Sequence, residues 1–359
     1  MKILLLGEYS GVHTDLAMTL RNLGHTVITA HSGDGFKNYP REFDLHIRER
    51  YKWIRYYKII KAYFDLAKFI ERNNFDIIQI INPGIIPFPF QKLIYKKVFA
   101  SKAKKFLLAC GEDDVVWDAF RNKSYKYYAF EGQLKYDMLG ENPWDTKGLK
   151  KLSKYVREHV NTIIPLCIEY KIAYDRIAPN LPFVPLSINP SILKWDLKNK
   201  KLDKIIIFHG INKGREGLKG SYIIQEALKK IKTEFGEEVE IHLTESLPFS
   251  LYQEMLFKAT IVIDQTYSYS PSMNALYAML FGCIVLSGAE PEYLKSIGVL
   301  ESPIINILPD ADDVYLKLKN LINNKESLPK ISKESNCFVK KYHSIDKNTE
   351  MFLKIWDEY

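Results

Sequence analysis

Arg215 and Lys219 stand in HGINKGREGLKGS, a stretch that also carries Lys213 and the glycines Gly210, Gly214, Gly217 and Gly220. Glycines let the backbone close in on a ligand, and the helical pattern that begins at Ser221 places a helix N-terminus beside the loop. Cations next to oriented N–H donors are what a diphosphate requires, and the same charges would stabilise a departing pyrophosphate oxygen. GxxxxGK[ST] is absent, so this is not a P-loop. A solvated loop is the plainer alternative.

The second constellation is IVIDQTYSYSPSMNALYAMLFGCIVLSGAEPE, residues 261–292. A β-branched run ends at Asp264, a Tyr/Ser loop follows, and Ser270, Ser272, Met273 and Asn274 lie at a helix entrance, where hydroxyls and backbone N–H groups can meet a phosphate. Met273, Leu276, Met279 and Leu280 recur at helical spacing, which suits a core face. Two further loops follow apolar strands. In GEYSGVH, residues 7–13, Gly11 allows close backbone approach, the helix N-terminus offers N–H groups to an anion, and His13 is expected to face a ligand cleft. In CGEDD, residues 110–114, the ordinary role of the acids is N-capping; Asp113 is the one also considered for positioning a ligand.

These loops need strands and helices to hold them, and the pattern supplies both. Residues 2–6 read as a strand, the 7–13 loop feeds a helix in which Leu16, Leu20 and Leu23 recur before Gly24 stops it, and 25–30 reads as a second strand. A Tyr/Lys-rich helix near 53–72, a strand at 76–81, a helix at 91–100 and a strand at 105–109 continue the alternation. Strand 162–166 and the prolines Pro179, Pro182, Pro185 and Pro190 lead to a boundary, after which strands at 204–208, 239–243 and 261–264 alternate with helices again. Helical patterns at 311–323 and 345–359 close the chain. The expectation is α/β: two Rossmann-like, doubly wound parallel-sheet domains facing a cleft, over residues 1–185 and 186–342, with the helix of 343–359 packing back on the first.

With 359 residues, 47% of them hydrophobic, the chain is long enough for two cores. Cys110, Cys167, Cys283 and Cys337 form no Cys-x-x-Cys pair and suit reduced, buried thiols of a cytoplasmic protein; a zinc site is not expected. The apolar run at the N-terminus is too short for a membrane span. The net charge of +8 is concentrated: residues 48–105 hold fourteen Lys and Arg against Glu49, Asp65, Glu71 and Asp76. Such a field suits an anionic partner, and a solvated lysine face is the alternative. The 53–72 helix is expected to pack Ile, Leu and Phe on its own sheet and show Lys to water; the alternative is a helix lying on a membrane surface. No GxGxxG follows the first strand, which argues against nicotinamide chemistry, and no recognised nucleic-acid module accompanies the basic segment.

The whole chain resembles the family-4-like (group 1) GT-B glycosyltransferases of bacterial surface-polysaccharide assembly. GEYSGVHTDLAMTLRNLGHTV is similar to the family's opening, HGINKGREGLKGSYIIQEAL to its G-R-x(n)-K-G…I-EAL segment, and NALYAMLFGCIVLSGAEPE to its EAMA-G-PV…PE segment. The resemblance implies transfer of a hexose-like sugar from a UDP- or GDP-type sugar, with retention, to a glycan or lipid-linked acceptor, in polysaccharide or lipopolysaccharide biosynthesis. It implies a donor held by the C-terminal domain, an acceptor held by the basic N-terminal domain, and no metal or cofactor beyond the co-substrate. Arg215 and Lys219 match the family's diphosphate-binding pair, helped by the helix entrance at Ser272, Met273 and Asn274; His13 and Asp113 would position sugar or acceptor, and Gly11 would approach the donor. The family's E-x7-E glutamates, which contact the sugar and the ribose, fall on Tyr269 and Tyr277. A tyrosine lacks a carboxylate's bidentate grip on a diol, and Glu290 and Glu292 are expected to supply the missing carboxylates. A cytoplasmic protein, peripheral at an anionic inner membrane face, suits this reading. The alternatives are a sugar-nucleotide 2-epimerase of the same fold and a catalytically silent nucleotide-sugar-binding partner subunit.

Overall fold

The computed structural model describes residues 1–47, 49–137, 142–211, 214–245 and 249–359. The chain divides into two compact units, Met1–Ala119 with Asn142–Pro185 and Ile345–Tyr359, and Phe120–Glu141 with Leu186–Ser344. This differs from a single boundary near 185, because residues 120–141 leave the first half of the sequence and pack within the second unit.

The first unit begins β1 (Lys2–Leu6), α1 (Val12–Asn22), β2 (Thr26–His31), β3 (Phe43–Asp44) and α2 (Lys52–Arg72). It continues with β4 (Ile77–Ile81), α3 (Gln91–Ala100), β5 (Lys104–Ala109) and α4 (Asp114–Arg121). After α5 (Ala129–Tyr136), which belongs to the second unit, come α6 (Lys147–Glu158), β6 (Thr162–Pro165) and α7 (Ile168–Tyr174). Its six strands are parallel in the order β3-β2-β1-β4-β5-β6, with Ile3 of β1 opposite Val27 of β2 and Ile77 of β4. β1 and β4 are apolar at nearly every position because helices cover both faces of a parallel sheet. The exception in β4 is Gln79, fully buried, whose side chain donates to His13 Nε2 at 3.1 Å and accepts from Trp356 Nε1 at 3.2 Å.

The second unit runs β7 (Ile205–Ile211), α8 (Glu216–Lys219), α9 (Ser221–Phe235), β8 (Val239–Glu245), α10 (Phe249–Lys258) and β9 (Ile261–Ile263). Then come α11 (Met273–Leu280), β10 (Ile284–Ser287), α12 (Pro291–Ser296), β11 (Ile305–Asn306), α13 (Ala311–Asn323) and α14 (Leu328–Tyr342); the last helix, α15 (Ile345–Glu358), carries Trp356 in the first unit. Its five parallel strands are ordered β11-β10-β9-β7-β8, so the chain reverses direction across the sheet between β7 and β9. In open parallel sheets a ligand crevice forms at that switch point, outside the carboxyl ends of the strands. Here the loops after β7 and β9 flank it.

One helix lies outside the sequence expectations, and one expectation, on the cysteines, is corrected. α14 was not foreseen, since PKISKESNCF has few large apolar residues; it is held by Ser332 Oγ donating to Gly282 O (2.6 Å) and Asn336 Nδ2 donating to Leu280 O (2.5 Å). Cys337, on that helix, is exposed and Cys167 half-buried, so only Cys110 and Cys283 are the buried thiols expected of all four. α2 packs through Tyr63, Leu66, Ala67 and Ile70, all beyond its midpoint, while Trp53, Tyr56 and Tyr57 stay exposed.

Candidate functional site

Asp264 follows β9 directly, fully buried at the carboxyl edge of the second sheet. Four side chains converge on its carboxylate. Ser272 Oγ donates to Oδ2 at 2.7 Å, Ser287 Oγ to Oδ2 at 3.1 Å, Asn274 Nδ2 to Oδ1 at 3.0 Å, and Lys219 Nζ stands 3.3 Å from Oδ1. Burial alone would raise the Asp264 pKa, but the Lys219 ammonium and the Ser272 and Asn274 hydrogen bonds outweigh it and hold the group below its ordinary value. Asp264 is therefore an anion that fixes three predicted site residues in place. Ser272 is also the N-cap of α11, accepting from Asn274 N at 3.1 Å, and Met273 is that helix's first residue. The expected diphosphate residues Lys219, Ser272, Met273 and Asn274 thus meet at one helix entrance. Lys219 is tethered there; an ammonium has three donors, and Asp264 engages one. Arg215, at the N-terminus of α8, is exposed. Lys213 lies outside the described residues.

A second cluster sits at the ends of β10 and β11. Glu290 is buried, and its carboxylate accepts from Tyr127 Oη (2.7 Å), Asn306 Nδ2 (2.7 Å) and Lys126 Nζ (2.9 Å). Burial would raise its pKa, and these three donors bring it below the usual value. Glu290 is consequently engaged within the protein, which corrects the expectation that it is an open carboxylate for a ribose. Glu292 places Oε1 3.2 Å from Lys126 Nζ, while its Oε2 is shielded from solvent with no hydrogen-bond partner among the described residues. Tyr269 is buried; its hydroxyl accepts from Lys126 N at 2.6 Å and its carbonyl from Glu290 N at 2.9 Å. Tyr277 is buried on α11. The Lys126 side chain is 56% exposed while its ammonium pairs with both Glu290 and Glu292.

The N-terminus of α8 is held from an unexpected direction. Asp137, just past α5, accepts from Gly217 N at 2.6 Å and Leu218 N at 3.3 Å, filling the α8 N-terminus with a carboxylate of the same chain. Gly132 and Gly217 bring the α5 and α8 backbones into contact, since a Cβ on either would meet the other's carbonyl oxygen at 2.0 and 2.2 Å.

The sites expected in the first unit are corrected. His13 is fully buried, with Nδ1 donating to Gly7 O (2.7 Å) and Nε2 accepting from Gln79; burial drives its pKa down to about 3, so it is a neutral imidazole of the core. The α1 N-terminus holds Glu8, which accepts from Thr14 N (2.8 Å), Thr14 Oγ1 (2.6 Å) and His13 N (3.4 Å). An external anion would have to displace that carboxylate. Gly11 has φ +88°, the left-handed region that glycine tolerates, and Tyr39's ring would be 3.2 Å from a Cβ there; its close neighbour is this ring. Asp113 is buried, accepts from Val116 N (2.9 Å) and from the Tyr174 hydroxyl, and caps α4, the ordinary role for such an acid. Burial pushes its pKa up to about 6. His209 is also structural: Nδ1 donates to Ile263 O (2.8 Å) and Nε2 accepts from Ser221 Oγ (2.9 Å).

Sequence reasoning passed over Asp264, Ser287, Lys126, Tyr127, Asn306 and Asp137. Asp264 had a signal, being the polar residue that ends a β-branched run. The 120–137 residues had none, because nothing in a loop-rich, Tyr-rich stretch says that it joins the other unit.

Neither a family model nor a curated protein matches the sequence. Solved structures match along the whole chain. Sucrose-phosphate synthase from Thermosynechococcus elongatus superposes with a TM-score of 0.63 at 11% identity, covering 100% of this chain and 99% of its own. Anabaena HepE in complex with UDP and glucose gives 0.64 at 10% identity, with 100% of both chains covered. A Listeria monocytogenes protein assigned as a UDP-N-acetylglucosamine 2-epimerase gives 0.55 at 13% identity, covering 98% of this chain and 95% of its own. Two doubly wound parallel sheets in one chain, matched over their full length by such structures, give this protein the GT-B fold.

Proposed function

We propose that the protein is a glycosyltransferase, taking a sugar from a nucleoside-diphosphate sugar bound by the second unit and passing it to a glycan or lipid-linked acceptor bound by the first. The observation that carries this reading is the helix entrance organised by Asp264, where Lys219, Ser272, Met273 and Asn274 meet beside the switch point of the sheet. Its support from outside is the fold and the UDP in the Anabaena HepE structure. In this reading Arg215 and Lys219 take up the charge that develops on the leaving diphosphate oxygen, helped by the N–H groups of α11. Retention of configuration, independence of metal and a role in polysaccharide biosynthesis follow from the family resemblance. This reading assigns no role to His13 and Asp113, which are hydrogen-bonded inside the first unit.

Two further readings each have one observation behind them. Tyr269 and Tyr277 are both buried where the resemblance expects glutamates, which favours a silent nucleotide-sugar-binding subunit. The Listeria structure shares the fold, which favours an epimerase. Incubation with UDP- and GDP-sugars separates the three. A transferase releases the nucleotide slowly to water and faster with acceptor, an epimerase inverts the sugar without releasing nucleotide, and a silent subunit binds without converting. Epimerisation in the absence of nucleotide release would sink the transferase reading.

A further inference from the structure

α2 carries an aromatic stripe that the protein leaves in water. Trp53, Tyr57, Ile60 and Phe64 recur at i, i+4, i+7 and i+11, one line along a helix, and Trp53, Tyr57 and Phe64 are 73%, 64% and 48% exposed. Tyr56, beside them, is 61% exposed, and the first two turns of the helix bury no side chain. An aromatic-rich helix normally turns this face to its own sheet; here the buried face is formed by Tyr63, Leu66, Ala67 and Ile70 instead. Phe88, 85% exposed, belongs to the turn whose Phe90 stacks on Tyr63 at 4.3 Å between ring centroids.

Cations surround it. Lys52, Arg55, Lys58, Lys61 and Lys68 are exposed on the same helix; Lys58 pairs with Glu49 and Lys61 with Asp65, while Lys52, Arg55 and Lys68 make no ion pair among the described residues. This lies in the segment with fourteen Lys and Arg against four acids. Two copies of such a face would repel each other, which argues against self-association through it. Trp and Tyr rings with lysine stems between them match the boundary between headgroups and acyl chains, and the charge matches an anionic headgroup. None of the described helices is long and apolar enough to cross a membrane.

We propose that α2 docks the protein on an anionic lipid bilayer, with Trp53, Tyr57 and Phe64 in the interface and the flanking Lys52 and Lys68 against the headgroups. The inference stands on the first unit alone and does not depend on what the second unit binds.

Vesicle co-sedimentation tests it, with phosphatidylcholine vesicles beside vesicles containing one-third phosphatidylglycerol. The expected result is binding to the anionic vesicles only, weakened by salt. Trp53→Ala/Tyr57→Ala should lose most of it, and Lys52→Ala/Lys68→Ala should weaken it on the order of 25-fold, about fivefold per cation. All four side chains are exposed, so thermal unfolding should match the wild type, and either pair alone keeps the test open if the other misfolds. Equal binding to both vesicle types, full binding by the aromatic variant, or lipid-free dimerisation abolished by that variant would each overturn the proposal.

Discussion

Three helix N-termini that a sequence offers as anion sites are already filled by carboxylates of the chain: α1 by Glu8, α4 by Asp113 and α8 by Asp137. The sequence shows the acids but not which N–H groups they reach, so Asp113 could be read both as a cap and as a positioning group until its partners were seen. The imidazoles were ambiguous for the same reason. His13, His31, His209 and His343 all have pKa values driven down by burial, to about 3 for His13 and about 4 for the others. A histidine whose folded pKa lies below its unfolded 6.5 gives stability that is complete above that pH and is lost as pH falls towards the folded value. Each contributes a slope on the order of 1 kcal/mol per pH unit in that window. Asp113, Glu8 and Glu131, raised by burial, have the opposite sign, but three acids stand against four imidazoles. Asp264, depressed below 3.8, adds a further loss only at lower pH. Urea midpoints should therefore fall steadily from pH 7 to pH 5, and a flat profile would mean that these imidazoles are not buried neutral.

At the scale of elements, hydrophobic periodicity located most of the strands and long helices, and β-α alternation identified the sheet class. What it could not convey was membership. Residues 120–137 follow β5 and α4 in sequence, yet α5 lies against α8, and the backbone contact of Gly132 with Gly217 depends on two missing side chains rather than on any apolar pattern. Gly132→Ala should force the helices apart and cost about 1–3 kcal/mol, the usual range for overpacking. Because α5 leads into Asp137, the same change should loosen the loop that carries Arg215. Denaturant unfolding with nucleotide titration checks both, and a variant as stable as wild type would show that the contact is not tight. α14 escaped notice because its bonds run from Ser332 and Asn336 to backbone carbonyls, which leaves little apolar signature.

For the whole molecule, the α/β class and the residues that gather around Asp264 were legible, since polar residues at the carboxyl ends of apolar strands have few reasons to be there. The cluster around Asp264 gathers Lys219, Ser272 and Asn274 from segments more than forty residues apart in sequence. The buried tyrosines at 269 and 277 remain the main departure from the resembled family, and all three readings rest on the unit holding a nucleotide at all. The measurement that bears on this most directly is calorimetric titration of UDP and GDP into the full chain, wild type beside Arg215→Ala. Arg215 is exposed, so its loss should leave the fold intact while removing a charged hydrogen-bond donor, a change worth about 10- to 100-fold in affinity. The account predicts saturable binding of one nucleotide that weakens by that factor in the variant. Failure of both nucleotides to bind, or binding that Arg215→Ala leaves unchanged, would contradict it.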